Sequence, residues 1–384
     1  MFKLHVVQAE YGDCLLLQFG TASRARFVLI DGGPATTYER HLRPAMRQVV
    51  GEGSIELAVL SHVDTDHVVG LLDYIAELRA EGEGGSLPPL QGLWHNSFQH
   101  TVDPGGEIQA RLQSFMSLEA AAALMTNSGM TVNGIAEGNS LRLAARALQV
   151  PINADFPDGL IALDTSPAPR VFGNLRLQIV GPTRANLAKL QSQWIRWLEE
   201  HESAVNSGDP FVMANADKSI PNLSSIMFLA TADGKTILFT GDGRSDHLLD
   251  GLGQAGLLGP EGHLHVDVLK LPHHGSERNI TKRFFKAVTA DTYVVSANGR
   301  DDNPDLATLI WLVEAARDRG RPVKLVVTNA TPSLAKLAEE YPTSEYPYVI
   351  EALGAEAHHM TLTLSRTSAR HLSAHSSSAS DRRT

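Results

Sequence analysis

Cysteine is almost absent from this chain. Cys14 is the only cysteine among 384 residues, so an intrachain disulfide is excluded and a zinc site built from thiolates is not expected. Cys14 itself stands in the apolar run CLLLQF, which is typical of a buried strand rather than of a reactive thiol. A metal site in this chain would have to be built from histidine and carboxylate side chains.

Long apolar runs are also missing. No stretch of the sequence approaches the ~20 residues that a membrane helix needs. The first residues, MFKLHVVQAEYGDC, contain no basic run followed by an apolar core, which is the pattern of a signal peptide. We therefore expect a cytoplasmic protein with no membrane partner.

Positive charge is scarce. The chain has 33 lysines and arginines against 43 aspartates and glutamates, a formal net charge of −10. This balance argues against an extended, sequence-independent grip on nucleic acid, which depends on lysine and arginine. It leaves room for a small or locally held anionic substrate. The hydrophobic share of 43% is that of an ordinary globular protein with a core.

The first part of the chain alternates strand and turn signals. Three short strands are predicted over 3–9, 14–20 and 26–33, followed by an apolar strand at 55–62 and a helix at 67–81. A strand that leads into a loop of polar ligands and then a helix places those side chains at the carboxyl end of a sheet. Open α/β sheets commonly carry their sites there.

The middle of the chain has a different character. A Gly/Pro-rich connector covers 81–91, most of 105–150 has helical composition, and 185–206 predicts an amphipathic helix with Trp194 and Trp197 on its apolar face. Strand signals then return as a hairpin at 225–243 and as three further strands, with a helix between the last two. These segments are 265–276, 291–299 and 321–329 for the strands and 304–319 for the helix.

Ligand-type side chains follow four separate apolar strands. They are Asp31 in IDGG, the four residues of HVDTDH (His62, Asp64, Asp66 and His67), Asp242 in FTGDG, and His273 and His274 in LPHHGS. Burying a carboxylate or imidazole without a partner costs several kcal/mol. Convergence on a shared cation would remove this cost, and the pattern therefore predicts a metal site.

These motifs resemble those of a known family. SHVDTDHVVGL resembles the His-x-His-x-Asp-His signature of the metallo-β-lactamase superfamily, with Asp64 in the place of the second histidine. Together with GDCLLL, LFTGD and HHGS, it is similar to the metallo-hydrolase domain of competence proteins of the ComEC type and their soluble relatives. The resemblance covers about 1–80 and 222–330.

The resemblance implies an α/β fold, the αββα sandwich of the metallo-β-lactamase type, and the helical segments in the middle of the chain, which the resemblance does not cover, add a largely helical insertion. The corresponding division of the chain is a hydrolase domain at 1–84 and 216–366, an insertion or lid at 85–215, and a disordered tail at 367–384. The metal site is then expected at one end of the paired sheets.

The resemblance also implies a set of metal ligands. His62 and Asp64 would bind a first divalent ion, and Asp66 and His67 would bind a second. Two ions, zinc or manganese, are implied. Asp66 also has the position expected of a base or of a group that orients the attacking water.

The second half of the chain would complete both metal sites. Asp242 would bridge the two ions and is the other candidate for the orienting group, while one of His273 and His274 would bind the second ion. The residues leave open which histidine does so, and the other would orient substrate or support a ligand. Asp31 matches an early aspartate of the superfamily that supports the site.

Two positions depart from the family pattern. Asn222 stands where a third histidine of the first site is usual, and Asn303 stands where competence-type proteins tend to have a histidine. One of the two metal sites is therefore expected to bind more weakly or to fill only in part. His95 and His201 are the other candidates for the missing ligand. The shift from imidazole towards oxygen ligands moves the preference from zinc towards manganese.

Basic residues near the HHGS motif suggest an anionic substrate. They are Arg278, Lys282, Arg283 and Lys286, with Lys218, Lys270 and Arg300 in segments expected to approach the site. The alternative is that the residues at 282–286 only solvate a helix face. The backbone amides after Gly275 would form a helix N-terminus suited to an anion. The candidate substrate-binding side chains are Asn222, Ser276, Arg278, Asn298 and Asn303.

The sequence thus predicts a metal-dependent hydrolase, a phosphodiesterase or nuclease acting on an anionic small molecule or a nucleic acid. One alternative is a hydrolase of a lactone, lactam or thioester, which would need an apolar cleft lined by Trp94, Phe98 and Trp194. The other is a catalytically silent protein of the same fold that binds a ligand or partner.

Overall fold

The computed structural model describes residues 1–82, 85–97, 101, 105, 130–200 and 224–364. Within these residues the strands form two sheets. The first sheet has the order β14-β1-β2-β3-β4-β5. Its strands are β1 (Phe2–Val7), β2 (Leu15–Thr21), β3 (Arg24–Ile30), β4 (Ile55–Leu60), β5 (Leu93–His95) and β14 (His359–Thr363).

The second sheet runs in the order β13-β12-β11-β10-β9-β8-β7-β6. Its strands are β6 (Arg170–Phe172), β7 (Leu175–Gly181), β8 (Met227–Ala232), β9 (Lys235–Phe239), β10 (Leu264–Lys270), β11 (Val288–Val295), β12 (Val323–Val327) and β13 (Tyr348–Ala352). The helices are α1 (Arg43–Val49), α2 (Thr65–Glu81), α3 (Met130–Ala147), α4 (Arg184–Glu200), α5 (Ser245–Gln254), α6 (Lys282–Ala287), α7 (Leu306–Asp318) and α8 (Pro332–Glu340).

Strand alternation divides the apolar residues between two layers. In β2, Leu15 and Leu17 face the other sheet while Leu16 packs towards the helices, and in β10 Val268 and Leu269 divide in the same way. Successive side chains of a strand point to opposite faces, so a strand that is apolar at every position is buried on both sides. The run CLLLQF therefore predicts a strand between two packed layers.

The four layers are helix, sheet, sheet and helix. A core cluster joins the facing sides of the two sheets, a second joins the outer face of the first sheet to α2 and α3, and a third joins the outer face of the second sheet to α5, α7 and α8. The predicted αββα sandwich is confirmed. Among the described residues, no helix combines the length and the apolar character needed to cross a membrane.

The segment 85–215 contributes strands as well as helices. β5 pairs with β4, and β6 and β7 form a hairpin that pairs with β8. These strands extend both sheets, which the sequence prediction of a largely helical insertion did not include. β5 and β6 are three residues long, too short to show a period of two, whereas β7 is seven residues long with an alternating pattern that the sequence prediction missed. The domain boundaries themselves stay a prediction.

Strand direction brings the candidate site residues to one edge of the sandwich. β3, β4 and β5 are parallel, and β9 to β13 are parallel as well. Because β1 and β3 both pair antiparallel to β2, the carboxyl end of β1 lies at the same edge as those of β3 and β4. The loops that leave these strands carry the site.

Candidate metal centre

The first group of site residues follows β4. His62 comes directly after the strand end, Asp64 precedes the first residue of α2 in extended conformation, and Asp66 and His67 lie in the first helical turn. All four are buried. Asp64 Oδ2 lies 3.6 Å from His62 Nε2, and Asp66 Oδ2 lies 3.8 Å from His67 Nε2. These four polar side chains, two before α2 and two in its first turn, therefore lie close together at the edge of the sheet.

Asp31 lies behind this group and orients His67. Its Oδ1 accepts a hydrogen bond from the Ser61 amide at 2.7 Å, and its Oδ2 accepts from the Ser61 hydroxyl at 2.7 Å and from His67 Nδ1 at 2.9 Å. A carboxylate only accepts, so Nδ1 of His67 carries the proton and Nε2 presents its lone pair to the site. Asp31 therefore contacts a candidate ligand, and its supporting role at a metal site stays a prediction.

Asp242 stands between two pairs of histidines. Its Oδ2 lies 3.6 Å from His62 Nε2 and 3.7 Å from His273 Nε2, while its Oδ1 lies 3.3 Å from His67 Nε2 and 3.7 Å from His274 Nε2. The two oxygens of one buried carboxylate therefore face different imidazoles.

The backbone around Asp242 is held on both sides. Ser225 Oγ accepts from its amide at 3.2 Å, and Asn279 Nδ2 donates to its carbonyl at 2.9 Å. Gly241 has a φ of +48°, and a Cβ at that residue would lie 3.0 Å from Ser61 Cβ. The TGD turn can therefore press against the end of β4 because it has glycine at this position.

The two adjacent histidines point to different places. Both have left-handed backbone conformations, with φ of 45° at His273 and 53° at His274, which is uncommon for residues with a Cβ and marks a constrained turn. His274 is buried, and its Nε2 lies 3.3 Å from Asp66 Oδ2. The side chain of His273 is 34% exposed. His274 thus joins the group of Asp66, His67 and Asp242.

The histidine pKa values respond to the surrounding carboxylates. Burial alone would lower the pKa of His67, but the neighbouring Asp242 and Asp66 outweigh burial and hold it well above its ordinary value. Burial also lowers the pKa of His274, but the nearby carboxylates of Asp242 and Asp13 outweigh burial and raise this pKa to about 10. The pKa of Asp242 is held well below its ordinary value, since the histidines more than offset its desolvation.

Several ligand atoms at this centre are buried without a hydrogen-bond partner. They are His62 Nε2, His67 Nε2, His274 Nε2, Asp66 Oδ1 and Asp242 Oδ1. Unsatisfied buried polar atoms are rare in folded proteins and call for a physical explanation. Imidazole lone pairs and carboxylate oxygens that face each other need a cation between them, so this donor set fits a divalent metal.

The charge of the centre leads to the same conclusion. Among the described residues, five buried carboxylates stand against one buried ammonium at this edge, which leaves four negative charges when the histidines are neutral. The carboxylates belong to Asp13, Asp31, Asp64, Asp66 and Asp242, and the ammonium belongs to Lys270. Protons on the histidines provide one counter-charge, which explains their raised pKa values, and divalent ions provide another.

Asp13 is a site residue that the sequence reasoning missed. It forms a buried ion pair with Lys270, and its Oδ1 lies 3.4 Å from His274 Nδ1. The signal was present, since the β1–β2–β3 meander places GDC at the same edge as IDGG. Lys270 was predicted to approach the site as part of a basic cluster for substrate. It does approach the site, but it is buried against Asp13 and not presented to substrate.

The predicted substrate-binding residues have mixed positions. Ser276 is buried, with its Oγ 3.4 Å from Asp305 Oδ2, and Arg278 is exposed. Asn298 Nδ2 donates to Glu10 Oε2 at 3.2 Å. Asn303 is half-buried, and its Oδ1 has no hydrogen-bond partner among the described residues.

Two groups that the anion-binding prediction assigns to substrate have partners within the chain. The amide of Glu277, in the segment after Gly275, donates to Asp305 Oδ2 at 2.9 Å, so a carboxylate of the chain already takes the place of an anion there. Lys282 pairs with Glu314 at 2.7 Å on the exposed surface of α6, as expected for a solvated helix face. Arg300 is half-exposed and stacks 4.1 Å above the ring of Tyr11.

Some predicted residues fall outside the described part of the chain. They are Asn222, His201, Lys218, Phe98, the side chains of Trp194 and Trp197, and the tail 367–384. His95, at the end of β5, is buried beside β4. Trp94 packs between the sheets, with its ring centroid 5.0 Å from that of Phe156. Trp94 does not line a cleft, whereas the hypothesis of a lactone, lactam or thioester hydrolase requires that it does.

No protein-family model matches the chain, and no curated protein sequence matches it. Among solved structures, the chain is similar to the metallo-β-lactamase fold protein YhfI from Bacillus subtilis, with 10% identity, a TM-score of 0.40, and coverage of 94% of this chain and 100% of that one. It is similar to a diphosphatase of the PhnP family, with 10% identity, a TM-score of 0.39, and coverage of 95% and 98%.

A third similar structure is a β-lactamase domain protein from Burkholderia ambifaria, with 12% identity, a TM-score of 0.29, and coverage of 68% of this chain and 66% of that one. The resemblance of the motifs to the competence-type proteins stays a prediction. The chain has a fold of the metallo-β-lactamase type, with two sheets between flanking helices. The histidine–aspartate cluster at one edge of the sheets is its candidate metal centre.

Proposed function

We propose that this protein is a metal-dependent hydrolase of phosphodiesters that uses two divalent ions. The observation that carries the proposal is the placement of Asp242, whose two carboxylate oxygens face different histidines. A single buried carboxylate in that position suits a bridging ligand. The four negative charges of the centre match two divalent ions, and mixed nitrogen and oxygen ligands accept either zinc or manganese.

The two ion sites would take different ligands. His62 and Asp64 lie on the Oδ2 side of Asp242 and would hold the first ion. A second ion fits the group on the Oδ1 side, which consists of Asp66, His67 and His274 together with Asp242 itself. His274 is the histidine of the HHGS motif that we assign to this group, because it is buried and 3.3 Å from Asp66.

Two divalent ions in such a centre supply a water of lowered pKa and neutralise the charge of the departing oxygen. The protein residues hold and orient the reactants. Asp66 Oδ1 is buried without a hydrogen-bond partner, and a carboxylate there can accept the proton of an attacking water. His273 is partly exposed beside Asp242, a position from which it can contact a substrate oxygen.

The phosphodiester assignment rests on the rim of the centre. Arg278 is exposed in the turn between the HHGS motif and α6, and Arg300 is half-exposed after β11. Both arginines are open to solvent near the strand ends, and Arg300 also lies 3.7 Å from Asp301 Oδ2. Guanidinium groups bind phosphate oxygens well. With a net charge of −10, the chain favours a small or locally held anion over a long nucleic acid.

The test is hydrolysis of a chromogenic phosphodiester with added manganese or zinc. Asp242→Ala should abolish turnover, while Asp246→Ala, a matched change on the exposed start of α5, should leave it within about twofold of the parent. Turnover that survives Asp242→Ala would contradict the proposal. Turnover of lactone or thioester substrates alone would favour that class, and a parent protein that retains no metal would favour a binding protein.

A further inference from the structure

The loop between β1 and β2, residues 8–14, contacts metal-centre residues from both sheets. A Cβ at Gly12 would lie 1.9 Å from the carbonyl oxygen of Asp66, so the loop is pressed directly onto the first turn of α2. The amide of Asp13 donates to the same oxygen at 3.3 Å. The β1–β2 loop is therefore fixed against a candidate ligand of the first sheet.

The same loop is bonded to the strand ends of the second sheet. Ser296, which follows β11, donates its hydroxyl to the Gly12 carbonyl at 2.5 Å, and Gln8 Nε2 donates to Asn329 Oδ1, after β12, at 2.8 Å. These bonds join residues that are distant in sequence and lie in different sheets. The loop acts as a bridge across the edge that holds the candidate metal centre.

At the centre of this bridge lies the Asp13–Lys270 ion pair. Each of the two residues is 1% exposed, and Lys270 Nζ also donates to the Leu271 carbonyl at 2.9 Å. Lys270 is the last residue of β10, and two residues separate it from the HHGS motif. A pair so deeply buried loses much of its hydration for a modest net gain in stability, so stability alone is a weak reason for its presence.

His274 is the residue that the pair faces. Its Nδ1 donates to the Ser296 carbonyl at 2.9 Å and lies 3.4 Å from Asp13 Oδ1. Nδ1 therefore carries the proton, and Nε2 faces Asp66 and Asp242. His67 differs in that its Nδ1 donates directly to Asp31, whereas Asp13 Oδ1 lies beside Nδ1 of His274 and is buried without a hydrogen-bond partner of its own among the described residues. Each of these two histidines thus has an aspartate next to its Nδ1.

We propose that Asp13, held in place by Lys270, is a positioning residue that directs Nε2 of His274 into the metal centre. The inference rests on the proposed metal site. The Asp13–Lys270 pair then links the geometry of that site to the packing of the two sheets, because one partner belongs to each sheet. Carboxylates behind metal-binding histidines fix the ring orientation and raise the basicity of the ligand.

The test separates positioning from stability by removing both charges together. The double variant Asp13→Asn/Lys270→Met keeps the shapes of both side chains and leaves no lone buried charge. The matched control is Asp267→Asn/Lys235→Met, which removes an ion pair between the same strand, β10, and β9. Each protein is titrated with Co²⁺, followed by its visible absorption spectrum, and melted thermally without metal.

The expected result is a loss of about 10- to 100-fold in Co²⁺ affinity and an altered spectrum for the Asp13/Lys270 variant, with the parent's values for the control. Parent-like affinity and spectrum in the Asp13/Lys270 variant would overturn the inference. If that variant does not fold, Asp13→Asn alone is subjected to the same titration and the same criterion. A parent protein that binds no Co²⁺ contradicts the proposed function itself, so the two failures are distinguishable.

Discussion

Asp66 Oδ2 and His274 Nε2 lie 3.3 Å apart, although Asp66 starts a helix on the first sheet and His274 follows a strand of the second. The contact exists because parallel strands of both sheets end at one edge of the sandwich. It joins two ligand atoms that have lone pairs and need a cation or a proton between them. The metal centre is thus a product of the packing of the two sheets.

The two histidines of the HHGS motif should have different roles. His274→Ala removes a buried member of the group around Asp66, so we expect the loss of one bound ion per chain and a fall in kcat of at least about 100-fold. His273→Ala removes a partly exposed side chain and should retain both ions while raising KM. Metal content by mass spectrometry, together with steady-state kinetics, checks this. Equal metal loss in the two variants would contradict the assignment.

Gly12 should not tolerate a side chain. An alanine Cβ there would overlap the Asp66 carbonyl at 1.9 Å, so Gly12→Ala must displace either the loop or the start of α2. We expect reduced metal affinity and a loss of about 2–4 kcal/mol in the free energy of unfolding. Gly253→Ala in α5 is the control, because its Cβ would meet only Leu258 at 3.8 Å. Unchanged metal binding in Gly12→Ala would contradict the close packing.

The strands along the chain and the candidate ligands at their ends could be predicted from the sequence because the signals are local. Apolar strands that end in HVDTDH, TGD or HHGS show both the strand and the ligand within about ten residues. The division of Leu15, Leu16 and Leu17 between the two faces of β2 cannot be predicted from three identical side chains, although the apolar run itself predicts a buried strand. The four layers follow from the family that these motifs resemble, and not from the local patterns themselves.

The remaining features depend on distant contacts. The separation of His273 from His274 is decided by two left-handed residues and by the position of Asp242, which no local pattern shows. The pairing of Lys270 with Asp13 joins different sheets, so composition alone suggested a substrate-facing lysine instead. A basic residue near a site is ambiguous until its nearest carboxylate is known.

Metal binding should stabilise the protein. The buried carboxylates of the centre repel one another unless cations or protons compensate them, and a ligand that binds only the folded state adds RT ln(1 + [L]/Kd) to stability. At a manganese concentration of about 100 Kd this amounts to about 2.7 kcal/mol per site, or several degrees in Tm. Melting curves with manganese and with chelator check the shift, which Asp242→Ala should lose. An equal shift in Asp242→Ala would place the ions elsewhere.

A separate pH effect should arise at the outer edge of the first sheet. His5 is buried between β2 and β14, with Nδ1 2.8 Å from Thr361 Oγ1 and Nε2 3.1 Å from Gln18 Oε1. Burial lowers the pKa of His5 to about 4, against a partial rise from its hydrogen bond to Gln18. Between about pH 6.5 and 4 the unfolded chain therefore binds more protons than the folded chain. The contribution of His5 to stability is complete above pH 6.5 and is lost as the pH falls through this range.

The fall in the pKa of His5 from 6.5 to about 4 corresponds to a change of up to about 3 kcal/mol in the free energy of unfolding. His5→Gln removes the titrating group, so its stability relative to the parent should improve steadily as the pH is lowered from 7.5 to 4.5. Urea unfolding at several pH values in this range measures the difference. If the difference in stability between His5→Gln and the parent did not change with pH, protonation of His5 would not oppose folding and its ring would be accessible to water.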